Sequence, residues 1–251
     1  MRPRKWPRIW RRKQRFPVSA KPRPAAQGSH LDLRCYHVTG APQEKVVQVA
    51  AAAAAGGAGV IQVRSKPISV RDLTALAIDV AAAVEEANPA TKVLIDDRVD
   101  VAAALMDDHH IHGVHIGQDD LTPHLARQIL GEDAIIGLTT GTLELVQDAN
   151  EYADVIDYIG AGPYRPTPTK ISGRTPLGLE GYPPLVAASA VPVVAIGDVQ
   201  AIDAAALAQT GVSGVAIVRA FMDSDDPTTL ATTVVQAFDR VNGNAAIGSH
   251  E

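Results

Sequence analysis

From Leu31 onward the chain alternates short runs of β-branched and aliphatic residues with longer, Ala-rich stretches of helical period. The runs at 32–38, 60–64, 92–95, 112–116, 134–138, 156–160, 192–196 and 213–218 predict strands. The patterns between and after them, over 43–56, 69–87, 98–107, 122–130, 142–152, 180–188, 200–209 and 227–241, predict helices. Such alternation reads as βαβ units around a parallel sheet, and eight units suit a single closed (β/α)8 TIM barrel of the α/β class. A doubly wound open sheet is the rival, but no Gly-rich dinucleotide fingerprint follows the first strand.

Local signals agree. Ser69 precedes a helix with Asp72 in its first turn, and Thr122 stands before Pro123 at a first-turn position. Thr142 suits a cap as well, as does one of Asp119 and Asp120. Gly131, Gly211 and the Gly56-Gly57 pair sit where helices should stop. The one long irregular stretch runs from Gly162 to Glu180, a length that in compact domains points to function or mobility.

The polar positions then carry the information. Strands covered by helices should be apolar on both faces except near the barrel mouth. Here polar groups gather at the C-terminal end of strand after strand. The second ends Gln62-Val63-Arg64-Ser65-Lys66, with Gln62, Arg64 and Lys66 on one face by the period of two. The third ends Asp96-Asp97-Arg98, the fourth runs into Gly117-Gln118-Asp119-Asp120, and the fifth ends at Thr139-Thr140. The sixth opens a loop holding Thr167, Thr169 and Lys170, the seventh ends Gly197-Asp198 and the eighth Arg219. Active sites of this fold occupy that rim, with phosphate often held after strands seven and eight. Cations, hydroxyls and two separated carboxylate sites suggest a hard metal such as Mg²⁺ bridging to a diphosphate. Asp97 and Asp100 also suit the start of a helix.

Other chemistry finds less support. His109, His110, His112 and His115 resemble a metal cluster, but His112 and His115 fall on opposite strand faces, so a shared metal is not expected. Cys35, the only cysteine, lies within a strand and reads as buried packing, and a chain with one cysteine suits a reducing cytoplasm. No run approaches the length of a membrane helix, and there is neither a Ser-His-Asp set nor a redox motif.

Charge divides the chain. Residues 1–30 hold ten Lys or Arg and no Asp or Glu, leaving 13 of the 23 basic residues beside all 28 acidic ones, a net −15. An acidic body argues against nucleic acid as the main partner. The basic segment lacks the apolar run of a signal peptide and could in principle meet nucleic acid or anionic lipid. Its prolines and like charges suit a disordered extension, or translation assigned from an upstream start, and this is the expectation. The expected organisation is an extension over 1–30, a catalytic barrel over 31–243 and a tail over 244–251.

The segments Gln62-Val63-Arg64-Ser65-Lys66, Asp97-Arg98-Val99-Asp100 and Gly113-Val114-His115-Ile116-Gly117-Gln118-Asp119-Asp120 resemble, in order and spacing, those of the thiamine phosphate synthase family. So do Gly162-Pro163-Tyr164-Arg165-Pro166-Thr167-Pro168-Thr169-Lys170 and Val193-Val194-Ala195-Ile196-Gly197, and the resemblance spans about 31–221. It implies a cytoplasmic (β/α)8 transferase of thiamine biosynthesis. That enzyme joins an aminopyrimidine methyl diphosphate to a thiazole phosphate, giving thiamine phosphate and diphosphate by a dissociative path. Its implied partners are those two small molecules, with no nucleic acid, no membrane and a possible homo-oligomer.

Carried over by position, Arg64, Lys66 and Lys170 would hold the diphosphate, Gln62 would lie beside the pyrimidine or diphosphate, and Asp96 would be among the substrate-binding residues. Asp97 and Asp120 would ligate Mg²⁺, and Thr139 would supply a hydroxyl where the family usually has serine. Thr167 and Thr169, with Gly197, Asp198, Val218 and Arg219, would hold the thiazole phosphate. Four positions depart from the family pattern. Asp96 replaces a usual asparagine, Gly141 a histidine, Asp198 the second glycine of a pair, and Arg219 a serine, the last placing a cation where phosphate should sit. A thiazole tautomerase-like paralogue and a non-catalytic phosphate-binding barrel are the alternatives. Retention of the implied Mg²⁺ and diphosphate residues speaks against the paralogue.

Overall fold

In a computed structural model that describes residues 31–166 and 173–247, the β-branched runs form eight short strands. They are β1 Cys35–Val38, β2 Val60–Val63, β3 Lys92–Asp96, β4 Gly113–Ile116, β5 Ile135–Thr140, β6 Tyr158–Ala161, β7 Val193–Ile196 and β8 Gly214–Ile217. All pair in parallel in chain order, and β1 closes on β8 through Cys35↔Val215, Tyr36↔Ala216 and His37↔Ile217. The helices are α1 Val46–Ala55, α2 Val70–Ala87, α3 Val99–Leu105, α4 Pro123–Leu130, α5 Leu143–Ala149, α6 Tyr182–Ala188, α7 Ala204–Gln209, α8 Arg219–Met222 and α9 Pro227–Ile247. The closed barrel is the architecture expected from the alternation, and the open-sheet rival falls away.

Helix α2 illustrates how sequence makes an element here. Leu73, Leu76, Ala77, Val80, Ala81 and Val84 recur at helical spacing and are the residues it buries. Each of its larger aliphatic side chains contributes about 1.5–3 kcal/mol on burial. Ser69 caps it, its hydroxyl accepting from Asp72 N at 3.1 Å. Thr122 and Thr142 cap α4 and α5 in the same way, so neither Asp119 nor Asp120 is the cap there. Helix α9 is stitched to α1 by Thr228 and Thr232, whose hydroxyls donate to the carbonyls of Ala52 and Gly56.

The apolar core lies between strands and helices. Outward-facing Cys35, Ile61, Val63, Val93, Ile95, Val114 and Ile136 are sealed from solvent there. Beneath α4, Arg127 is 5% exposed and donates to the carbonyls of Gly131, Glu132, Ala134 and Val155 and to Asp157. It ties together the N-terminal entrances of β5 and β6. That anchoring also explains why β6 begins at Tyr158 rather than at the expected 156. Asp157 turns its carboxylate to Ile136 N and Arg127. Three expected helices begin or end as 3₁₀ turns (Gln43–Lys45, Asn150–Tyr152 and Ala201–Asp203), and the four-residue α8 was not anticipated. Among the described residues no helix is long and apolar enough to cross a membrane.

Candidate active site

Strand pleating sends the alternate residues inward, and parallel register sets them in rows. Asp96 lies opposite His115, His115 opposite Gly137, and Gly137 opposite Tyr158. From β1 and β2, Tyr36 and Gln62 point into the same space. These side chains form a continuous hydrogen-bonded chain across the barrel. Gln62 Nε2 donates to Asp96 Oδ1, and Gln62 Oε1 accepts from Tyr36 Oη at 2.7 Å. Tyr36 and Tyr158 hydroxyls are 2.7 Å apart. His115 bridges Tyr158 Oη and Thr139 Oγ1, each at 2.9 Å. The interior is thus polar one layer deeper than strand patterning suggested.

The two rings need room. A Cβ at Gly137 would stand 2.2 Å from Tyr158 Cζ and 2.5 Å from His115 Nδ1, so glycine leaves the socket they fill. Burial pushes the Tyr158 and Tyr36 hydroxyls well above their ordinary range, keeping both neutral as hydrogen-bonding groups.

Above this floor a cavity opens at the strand ends. Of the residues singled out in the sequence, Gln62, Arg64, Asp96, Thr139, Gly197, Asp198, Val218 and Arg219 line it. Asp96 is buried, and burial raises its pKa, reinforced by the charge of Asp97 and opposed by Lys66 and Arg64. Arg64 Nε stands 3.5 Å from Asp96 Oδ2, and Lys66 Nζ stands 3.1 Å from the same oxygen and also pairs with Asp97. The three residues of the second strand's mouth therefore meet one face of the Asp96-Asp97 pair.

Asp97 takes the left-handed conformation, φ 60°, which Asp tolerates better than most residues. Its backbone N–H donates to His115 O, setting its carboxylate beside Asp120. Asp120 Oδ2 accepts from Gly117 N at 2.7 Å, which fixes its own direction. Burial pushes the Asp120 carboxyl up to about 6; the Gly117 N–H opposes this, and the charge and hydrogen bond of Asp97 add to it. Two carboxylates pressed together in this way form an oxygen-donor pair with excess negative charge. Among the described residues no group of three or more His, Cys, Asp or Glu could hold a metal. Two carboxylates are nevertheless the usual protein share for Mg²⁺, which keeps waters and takes substrate phosphates. The donor set fits that ion.

On the opposite rim, Gly197 and Asp198 follow β7 with φ 105° and 58°. A Cβ at Gly197 would lie 2.6 Å from Pro163 Cα, whereas Asp198 pairs with Arg219 at the start of α8. Nearby, Arg165 grips both oxygens of Asp203 at 2.6 and 2.7 Å and stacks 4.5 Å over the Tyr164 ring. It braces the loop after β6. Thr167, Thr169 and Lys170, on that loop, lie outside the described residues.

Several lining residues were not among the expected site residues, and Tyr36, His115, Tyr158 and Arg174 are four of them. Tyr36, His115 and Tyr158 share the inward parity of Gln62 and Asp96, a signal that was available. Of the histidines set aside as a metal cluster, His112 serves structure, its Nδ1 accepting from Val93 N, while His115 faces the cavity.

A family model described as thiamine monophosphate synthase matches residues 35–221. The thiamine-phosphate synthase of Corynebacterium jeikeium is 78% identical over 212 residues, covering 84% of this chain and 97% of that protein. That of Corynebacterium efficiens is 60% identical over 211 residues, covering 82% and 95%. Among solved structures, thiamine phosphate pyrophosphorylase from Pyrococcus furiosus superposes with a TM-score of 0.73 at 29% identity, over 84% and 98% of the two chains.

Proposed function

The chain belongs to the thiamine monophosphate synthase family, and on that premise we propose how the residues at its barrel mouth divide the work. It is a transferase of thiamine biosynthesis, condensing an aminopyrimidine methyl diphosphate with a thiazole phosphate to give thiamine phosphate and diphosphate. The C–O bond to the diphosphate breaks with its electron pair leaving on oxygen. The thiazole nitrogen then donates its lone pair to the pyrimidine methylene carbon, and no proton need move.

Such a reaction asks for charge stabilisation, alignment and exclusion of water. In our reading Arg64 and Lys66 receive the departing diphosphate, joined by Lys170 and the Thr139 hydroxyl. Gln62, held on both ends of its amide by Tyr36 and Asp96, orients the pyrimidine. Asp96 thereby acts as a fixed acceptor that a family asparagine would share only in part. Thr167, Thr169, Gly197, Asp198, Val218 and Arg219 receive the thiazole phosphate. Asp97 and Asp120 hold Mg²⁺, which when bound neutralises charge on the diphosphate.

The observation that carries this reading is the meeting of Arg64, Lys66, Asp96, Asp97 and Asp120 at the mouths of three adjacent strands. Mixing both substrates with the full chain and Mg²⁺, and following thiamine phosphate with released diphosphate, tests it. Asp120→Asn should lower turnover about 10²-fold or more. Undiminished activity in EDTA would refute the metal assignment.

A further inference from the structure

The two residues that follow β7 both take positive φ, Gly197 at 105° and Asp198 at 58°, and the peptide bonds after them are trans. Arg165 holds both carbonyls of this turn. Its backbone N–H donates to Gly197 O at 3.0 Å, and its Nη1 donates to Asp198 O at 3.3 Å. In a trans peptide the N–H points opposite to the C=O. The N–H groups of Asp198 and Val199 therefore face away from Arg165. Gly197, Asp198, Val199 and Gln200 line the cavity, and Arg165 is not among the described lining residues. It grips the turn from behind.

Among the described residues neither the Asp198 N–H nor the Val199 N–H has a hydrogen-bond acceptor. Val199 is 3% exposed, so an N–H left unpaired there is costly. Successive N–H groups on such a turn form an anion-binding concavity, and phosphate oxygens would satisfy them. A side chain disfavours φ 58°, so at Asp198 the turn needs holding. Arg165 is itself fixed in place to do so. Its Nη1 and Nη2 meet Asp203 Oδ2 and Oδ1 at 2.7 and 2.6 Å. Asp203 is buried and also accepts from Gln200 N at 2.9 Å. The guanidinium thus joins the loop after β6 to the turn after β7 and to the residue that precedes α7.

We propose that Arg165 is a positioning residue for the thiazole phosphate, keeping the Gly197-Asp198 turn in the conformation that presents two backbone N–H groups to it. The inference rests on the reading that seats this phosphate after β7 and β8. Arg165 acts through the turn and not on the reacting atoms. Its role is tied to the side chain at 198, because a glycine there would adopt positive φ without cost and need the brace less.

The test compares the full chain with Arg165→Met, which removes the grip, and Arg165→Lys, which keeps a cation for Asp203 but gives up the fork. With each substrate varied in turn, Arg165→Met should raise the KM for the thiazole phosphate about 10-fold, as for one hydrogen bond lost to a charged group. The kcat and the KM for the pyrimidine diphosphate should stay within about twofold, and Arg165→Lys should fall between parent and Arg165→Met. Made on top of Asp198→Gly, Arg165→Met should change the thiazole phosphate KM by no more than about threefold. An undiminished effect there overturns the proposal, as do equal rises for both substrates, which would mark a general loosening of the loop after β6. The backbone amide resonances of Asp198 and Val199 separate this inference from the reading beneath it. In the unsubstituted chain, thiazole phosphate should shift both and slow their hydrogen exchange. If it shifts neither, the phosphate lies elsewhere and that reading fails. If it shifts both while Arg165→Met leaves the KM within twofold of the parent, the phosphate site stands and the role of Arg165 is overturned. Should Arg165→Met not fold, the same threshold applies to Arg165→Lys.

Discussion

Replacing Arg219 by alanine separates two roles that its pairing with Asp198 could serve. The pair is open to water, with side chains 46% and 24% exposed, so its worth to folding is about 0–1 kcal/mol and melting should barely move. Its worth to ligand binding is larger. If Arg219 donates to the thiazole phosphate, Arg219→Ala removes a charged hydrogen bond of about 1.5–3 kcal/mol, raising that KM about 10- to 100-fold. Asp198→Gly should do the reverse. It removes a negative charge near the phosphate, worth roughly 1 kcal/mol or about fivefold in KM at high effective dielectric. It also relieves a non-glycine residue at φ 58°, which stabilises by about 1 kcal/mol and offsets the lost pair. In the double variant the two effects should not add, since each residue's influence depends on the other. Steady-state kinetics with each substrate varied in turn, alongside melting curves, reads all of this. A thiazole phosphate KM within twofold of the parent for Arg219→Ala, or equal rises for both substrates, would refute the argument and leave Arg219 as no more than Asp198's partner.

Other expectations concern the scaffold. Arg127→Met should cost about 3–5 kcal/mol in urea unfolding, because it strands four carbonyls and the Asp157 carboxylate. Its kcat should be unaltered at the far end of the barrel. His37 is fully buried against Phe221, and burial lowers its pKa to about 4, with the Ile217 carbonyl opposing. The folded chain therefore binds this proton later than the unfolded chain does. Stability is lost as pH falls from about 6.5 toward 4, by about 2–3 kcal/mol at pH 4.5. His37→Gln should flatten that part of the unfolding profile, and an unchanged slope would contradict it. A chain beginning near His30 should keep its activity and melting temperature, because the composition of residues 1–30 cannot support a packed core. A drop of several degrees would show that the segment docks.

Strand positions were legible because each outward row must be apolar to meet a helix, as with Ile61 and Val63 or Val93 and Ile95. The rim was legible for the converse reason: Arg64, Lys66, Asp96 and Asp120 are polar where packing alone would ask for aliphatics. The inner chain was not, since Tyr36 and Tyr158 lie 122 positions apart and only barrel closure brings their hydroxyls together. Arg174 was hidden differently. It packs beside Gly141, where a Cβ would stand 3.2 Å from its Nη1, and glycine in a sequence does not announce which neighbour will use the space. Helix α8, four residues long, is too short to show a period.

The socket at Gly137 has a consequence for how this enzyme can diverge. Because a Cβ there would meet the Tyr158 ring at 2.2 Å, a side chain at 137 and a large ring at 158 are mutually exclusive. The two positions behave as one inherited unit: neither can change first without a clash or a void, so a lineage must cross a poorly packed intermediate or trade both at once. In relatives that enlarge residue 137, the residue at 158 should be small, and His115 should have found another anchor. The helix-facing core on the other side of the strands takes no part in that exchange. The lining of this barrel can therefore be rewritten, as a pair, on an unaltered frame.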